Sequence, residues 1–229
     1  MSASLPRIEL WRIGLDGAGA SDALAWGAHV LSHAEKERMD SFMRDADRSA
    51  FGVTRIALRS ILASRAGMLP SQVSFKYLHA GKPILDPATD LHFNCSHSGH
   101  LAVVAVARGI GVGVDVERLG ARHGDPPDDV SWGVVDRFFT AMERARIEAS
   151  PPGERQRTFL SLWSRKESLV KLDGRGIAAL EGPSLEERYP HARFKPLDLG
   201  DGYVGWVAAG EEFHLVDCGW WSWAARRCA

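Results

Sequence analysis

Over residues 7–13 apolar Ile8, Leu10 and Ile13 are set among Arg7, Glu9 and Arg12, a near-alternation that predicts a first strand. The period then changes. Ser32-His33-Ala34-Glu35 is a capping box that opens a short helix to about Met43. A longer helix is expected from Asp45 to Arg65, carrying Phe51, Ile56, Leu58, Ile61 and Leu62 and stopped by Gly67. Phe75-Lys76-Tyr77 predicts a strand, Ala80 to Pro83 a turn, and Leu91 to Cys95 a strand running into a polar loop at Ser96-His97-Ser98-Gly99. Leu101–Ala107 and Ile110–Glu117 read as two strands of a hairpin turning at Arg108-Gly109. Gly120 to Asp129, rich in Gly, Pro and Asp, is the expected linker. Helices resume over Ser131–Phe138, Thr140–Ala149 and Glu154–Leu172. Tyr203–Ala209 and Phe213–Val216 predict a last hairpin around Gly210, with Trp220, Trp221 and Trp223 closing a sheet. Each half therefore runs from a long helix to a small antiparallel sheet, so the expected class is α+β with two similar halves and no visible sequence repeat.

Composition narrows the function without defining it. The 229 residues, 45% hydrophobic and 25% charged, suffice for one large core or two small ones. A formal charge of −1 leaves no general footprint for nucleic acid, so any basic site is local. Cys95, Cys218 and Cys228 are odd in number and widely spaced, which suggests neither a disulfide framework nor a zinc ribbon. No run is long and apolar enough to span a bilayer, and residues 1–15 lack a signal pattern, so a cytoplasmic location is expected.

Two stretches carry the chemistry: Gly113-Val114-Asp115-Val116-Glu117, and Trp163 to Lys171. On a strand, Asp115 and Glu117 project from one side, where two adjacent anions call for a cation. On the helix, Glu167 and Lys171 share a stripe with Leu160 and Ser164 along the border of the apolar face. Three carboxylates and the ammonium groups of Lys166 and Lys171 can thus surround one point, equipment for a magnesium-bound pyrophosphate. Taken singly, the pair on the strand also fits a solvated face, and Glu167 with Lys171 an ordinary i,i+4 ion pair.

Other groups weigh less. His92, His97, His100 and Cys95 lack zinc-loop spacing, whereas Ser96 and His97 suit an anion, with a satisfied structural histidine as the competing account. Gly109, Gly111 and Gly113 precede no helix and are assigned to the hairpin. Glu143 is explained by the capping box Thr140-Ala141-Met142-Glu143. Lys36, Arg38 and Arg48 lie on helix surfaces, where cations are ordinarily solvated.

In order and spacing, Gly81-Lys82-Pro83, Phe93 to Gly99, Gly113 to Glu117, Phe138-Phe139 with Glu143, and Trp163 to Lys171 resemble the 4′-phosphopantetheinyl transferases. The chain length is similar to that of the longer, monomeric group, two similar halves with the active site at their junction, that activates carrier domains of peptide and polyketide synthases. The resemblance implies transfer of phosphopantetheine from coenzyme A to a serine of an apo acyl or peptidyl carrier protein, leaving 3′,5′-ADP. It implies magnesium held by Asp115, Glu117 and Glu167, with Lys171 on the pyrophosphate and Glu167, or a water it orients, as base. It further implies that Lys36, Arg48, Lys82 and His97, assisted by Ser96, hold the nucleotide and its phosphates. Residues 1–110 would then form the nucleotide side and 111–229 the metal side. A metal-dependent nucleotide pyrophosphohydrolase and a non-catalytic coenzyme A binding module are the alternatives.

Overall fold

The computed structural model describes residues 4–120, 130–180 and 185–223. In chain order these form β1 (Arg7–Gly14), α1 (Gly17–Gly27), α2 (His33–Asp40), α3 (Asp45–Ala66), β2 (Phe75–Tyr77), β3 (Pro83–Leu85), β4 (Leu91–Ser98), β5 (Leu101–Arg108) and β6 (Val112–Arg118). Then follow α4 (Trp132–Phe138), α5 (Ala141–Glu148), α6 (Arg155–Asp173), α7 (Leu185–Arg188), β7 (Arg193–Pro196), β8 (Tyr203–Ala209) and β9 (His214–Trp220). The expected linker beyond Gly120 lies outside the described residues. The class is α+β, as expected: one four-stranded sheet ordered β4-β5-β1-β9, one three-stranded sheet ordered β6-β8-β7, and the β2-β3 ribbon. Among the described residues no helix is long and apolar enough to cross a membrane.

Local signals place most of the helices. Ser32 and Glu35 close the capping box at the start of α2, and Thr140 and Glu143 do the same for α5. Gly67 and Gly174 take left-handed conformations that end α3 and α6. Helix α1 had no sequence signal, because its buried residues are mainly the small Ala20 and Ala23. The strands β3 and β7 were also missed, being only 3 and 4 residues long.

Both expected hairpins are corrected. Strand β5 bonds to β4 on one edge and β1 on the other, so no edge remains for β6. Likewise β8 lies between β6 and β7, and β9 crosses back to pair in parallel with β1. The two sheets therefore exchange chain: residues 214–220 return to the first sheet. Alternate residues of β5 feed two cores, which is why its sequence is one continuous apolar run. Ala102, Val104 and Val106 pack with Ile56, Ile61 and Leu62 of α3. Val103 and Ala105 pack instead with Val112, Val114 and Val116 of β6 and Val207 of β8. Trp221 is buried in the first core and Trp223 packs against it, while Trp220 is exposed.

Where the halves meet, side chains substitute for a backbone ladder. Strand β4 extends through Ser98, so the expected polar loop is strand. Its Asn94 Oδ1 accepts from Val114 N at 2.9 Å, Ser96 Oγ from Val116 N at 3.4 Å, and Ser98 Oγ from Arg118 N at 3.1 Å. The edge amides of β6 are thereby satisfied without joining the two sheets into one.

Candidate active site

The polar side chains of this seam carry the chemistry. A serine hydroxyl can donate one hydrogen bond and accept two. Ser96 Oγ uses all three: it accepts from Val116 N and from Lys171 Nζ at 2.8 Å, and donates to Asp115 Oδ1 at 2.8 Å. Lys171 Nζ also reaches Asp115 Oδ1 at 2.6 Å. Two residues along the strand, on the same face, Ser98 Oγ donates to Glu117 Oε2 at 3.0 Å. The two serines hold the two carboxylates by the same device.

Helix α6 can bring Lys171 to Asp115 because of Gly113. A Cβ there would lie 2.0 Å from Ser168 O and 2.4 Å from Leu172 N, so the helix rests directly on the strand's backbone. The sequence reading gave this glycine to a hairpin turn; its actual duty is close approach. Glu167, half-buried on the same helix, has its carboxyl pKa raised by burial and by the charges of Asp115 and Glu117, with Lys171 pulling the other way. The three expected carboxylates are therefore brought into one electrostatic neighbourhood.

Lys166 does not join them. One residue earlier on α6 it turns toward α5, where it is buried, pairs with Glu143 Oε1 at 3.0 Å and lies over the Phe139 ring. The expectation of two ammonium groups at one point is corrected to one, Lys171. Glu143 caps α5 and neutralises Lys166, a structural duty as expected.

Among the described residues no three His, Cys, Asp or Glu side chains form a ready-made metal cage. The donor set nonetheless fits a small divalent cation. Asp115 is 4% exposed, and its Oδ2 is buried without any hydrogen-bond partner. An anionic oxygen desolvated in this way is costly unless a cation meets it. The mutual repulsion that raises Glu167 is relieved by the same charge.

Beside the seam lies a cavity of about 790 Å³, walled by α2, α3, the β2-β3 ribbon and the end of β4. Ser96 and the exposed His97 line it, together with Arg38, Arg55 and Arg59. Lys36 and Arg48 do not. Lys36 is exposed, and Arg48 is tied to Asp45 Oδ1 at 2.9 Å and to Phe42 O at 3.1 Å. Lys82 turns from the cavity and donates to main-chain carbonyls of α6 and β6.

The cations the sequence reading missed are Arg55 and Arg59, both buried on α3. Glu35 holds them, accepting from Arg55 Nε and from Arg59 Nε at 2.7 Å each, while its other contact is the capping bond from Ser32 N at 2.9 Å. Burial pushes this carboxyl up, but the Arg55 charge, the Ser32 amide and Arg59 outweigh it and hold its pKa below the ordinary value. Arg55 also donates to the Tyr77 hydroxyl at 3.0 Å and lies 4.5 Å from the Phe75 ring centroid. Two arginines four residues apart within the largely apolar stretch 51–63 were the available signal.

A single lysine and paired acids abutting a large arginine-lined cavity have the chemistry to accommodate a charged phosphate ester. Comparison with known proteins gives the family. The family model described as 4′-phosphopantetheinyl transferase superfamily matches residues 111–215, and that described as 4′-phosphopantetheinyl transferase, N-terminal, matches residues 20–108. The 4′-phosphopantetheinyl transferase HetI of a Nostoc species is 37% identical over 177 residues, 76% of this chain and 71% of the relative. A 4′-phosphopantetheinyl transferase of Bacillus subtilis is 31% identical over 188 residues, 80% of this chain and 79% of the relative. The 4′-phosphopantetheinyl transferase Sfp of Bacillus subtilis strain 168 is 29% identical over 162 residues, covering 65% and 67%. The chain belongs to the 4′-phosphopantetheinyl transferases.

Proposed function

We propose that the protein transfers the 4′-phosphopantetheine group of coenzyme A to a serine hydroxyl of an apo acyl or peptidyl carrier domain and releases 3′,5′-ADP. The observation that carries this reading is the double position of Ser96, which lines the cavity and also bonds Asp115 and Lys171. A ligand in the cavity with its diphosphate toward Ser96 has its reacting phosphorus at the acidic seam.

In the proposed reaction the carrier serine oxygen forms a bond to the phosphorus bearing pantetheine, and the bond from that phosphorus to the bridging oxygen of the nucleotide breaks. The electron pair leaves on 3′,5′-ADP, and the serine proton passes to Glu167 or to a water that Glu167 orients. Lys171 supplies fixed positive charge where the diphosphate gains negative charge. Arg38, Arg55, Arg59 and His97 are the cavity's donors for the nucleotide phosphates. Asp115, Glu117 and Glu167 would hold magnesium, which when bound supplies charge neutralisation of the diphosphate. We assign the nucleotide side to residues 1–110 and the metal side to 111–229, in a cytoplasmic monomer.

The test is an intact-mass measurement on apo carrier domains incubated with the protein, coenzyme A and magnesium. Gain of one phosphopantetheine per carrier is expected. No gain on any of several carriers, or release of 3′,5′-ADP at the same rate without carrier, would contradict transfer and favour hydrolysis.

A further inference from the structure

Lys82 sits in the turn of the β2-β3 ribbon, a wall of the cavity. The turn is tied by Leu78 N to Lys82 O at 2.9 Å and by Gly81 N to Leu78 O at 2.8 Å. From there its side chain crosses to the other half. Lys82 Nζ donates to the carbonyls of Lys171 at 2.6 Å, Leu172 at 3.2 Å and Val112 at 3.3 Å. An ammonium group carries three N–H donors and no acceptor, so these carbonyls use its whole capacity.

The carbonyls are ones that need a partner. Those of Lys171 and Leu172 belong to the last turn of α6, which Gly174 ends at φ 79°, and a helix C-terminus leaves its final carbonyls unbonded and partially negative. Gly174 also makes room for the lysine stem, since a Cβ there would lie 3.3 Å from Lys82 Cδ. Burial lowers the Lys82 pKa to about 8, with the Asp173 carboxylate pulling it back up, so the group stays cationic at neutral pH with all three donors present.

We propose that Lys82 is a positioning residue: its ammonium clamps the cavity wall to the end of α6, fixing the register that sets Lys171 and Glu167 against Asp115, and it does not hold phosphate. The proposal rests on the transferase reading for its consequence in turnover. Its geometric part stands on the three carbonyls alone. Phe75 and Tyr77 of the same ribbon line the cavity, so the clamp links the substrate wall to the helix that carries the reacting groups.

The experiment is steady-state carrier loading with varied coenzyme A for the wild-type protein, Lys82→Met and Lys82→Arg. A displaced helix costs turnover, so kcat is expected to fall about 10- to 100-fold in both variants. The KM for coenzyme A should stay within about threefold, because no ground-state contact to it has been removed. Arginine should not rescue: its planar fork substitutes well on a phosphate but not on three convergent carbonyls. A raised KM with kcat retained, or a Lys82→Arg variant as active as wild type, would overturn the clamp in favour of a phosphate contact.

Hydrogen exchange of the amides in the last turn of α6 reads the clamp without turnover. Exchange about tenfold faster in Lys82→Arg is expected from losing hydrogen bonds to a charged donor. Unchanged exchange there would overturn the proposal even where Lys82→Met does not fold. If the wild-type protein loads no carrier, the transferase reading fails, and the exchange measurement still decides whether Lys82 holds the helix.

Discussion

The acidic seam and the arginine-lined cavity lie side by side, yet they are built in opposite ways. The seam is made of short-range order: Asp115 and Glu117 by the two-residue period of β6, Glu167 and Lys171 by one turn of α6, and Ser96 and Ser98 by the period of β4. The cavity is made of convergence. Glu35, Arg55 and Tyr77 meet there from a short helix, a long helix and a ribbon. Chemistry set by periodicity is robust in position, because a strand or a helix turn fixes where side chains point. Chemistry set by convergence depends on buried ion pairs, and is correspondingly easy to break by removing one partner.

Breaking the cavity side is the more drastic change. In Glu35→Gln one buried carboxylate that serves two buried arginines is removed, and leaving such charges uncompensated costs about 3 kcal/mol, or roughly 6–12 °C in Tm. Calorimetry should show this loss together with weaker coenzyme A binding. The effect has a definite pH sign. The native pKa of Glu35 lies below its ordinary 4.5, so its stabilisation is fully present above 4.5 and lost as pH falls through the native value. The difference in Tm between wild type and Glu35→Gln is therefore expected to narrow on acidification below 4.5; a gap that widens there would contradict the network described.

On the seam side, Gly113→Ala is the corresponding lesion. A methyl 2.0 Å from Ser168 O forces α6 away from β6, an overpacking that costs about 1–3 kcal/mol. Here the comparison sharpens. Coenzyme A binding should survive while kcat falls, the reverse of the pattern for Glu35→Gln. Loss of binding with kcat retained would mean that the two regions do not divide the work as proposed.

The same contrast explains what the sequence made legible. Period alone set Asp115 with Glu117 on one face of a strand and Glu167 with Lys171 on one stripe of a helix, and most of the helices were recovered from their caps. The failures are non-local. Nothing in the runs Leu101–Ala107 and Ile110–Glu117 says that β5 has both edges occupied, so a hairpin looked natural where a change of sheet occurs. Lys166 was counted with Lys171 because it stands in the same motif beside Glu167, whereas 100° of helix rotation from Glu167 sends Lys166 to Glu143. Arg55 and Arg59 stand out in the sequence as two cations in the buried stretch of α3, but their place in the cavity wall became visible only when α3 was packed against the ribbon.

The central claim is that the seam grips a divalent cation next to coenzyme A, with the buried, unpartnered Oδ2 of Asp115 as a ligand. Calorimetric titration of magnesium into the protein with coenzyme A present, for wild type and Asp115→Asn, tests it most directly. The account predicts saturable binding by the wild-type protein and affinity reduced by about 10- to 100-fold or more in the folded variant. Equal magnesium affinity in the two proteins would contradict it.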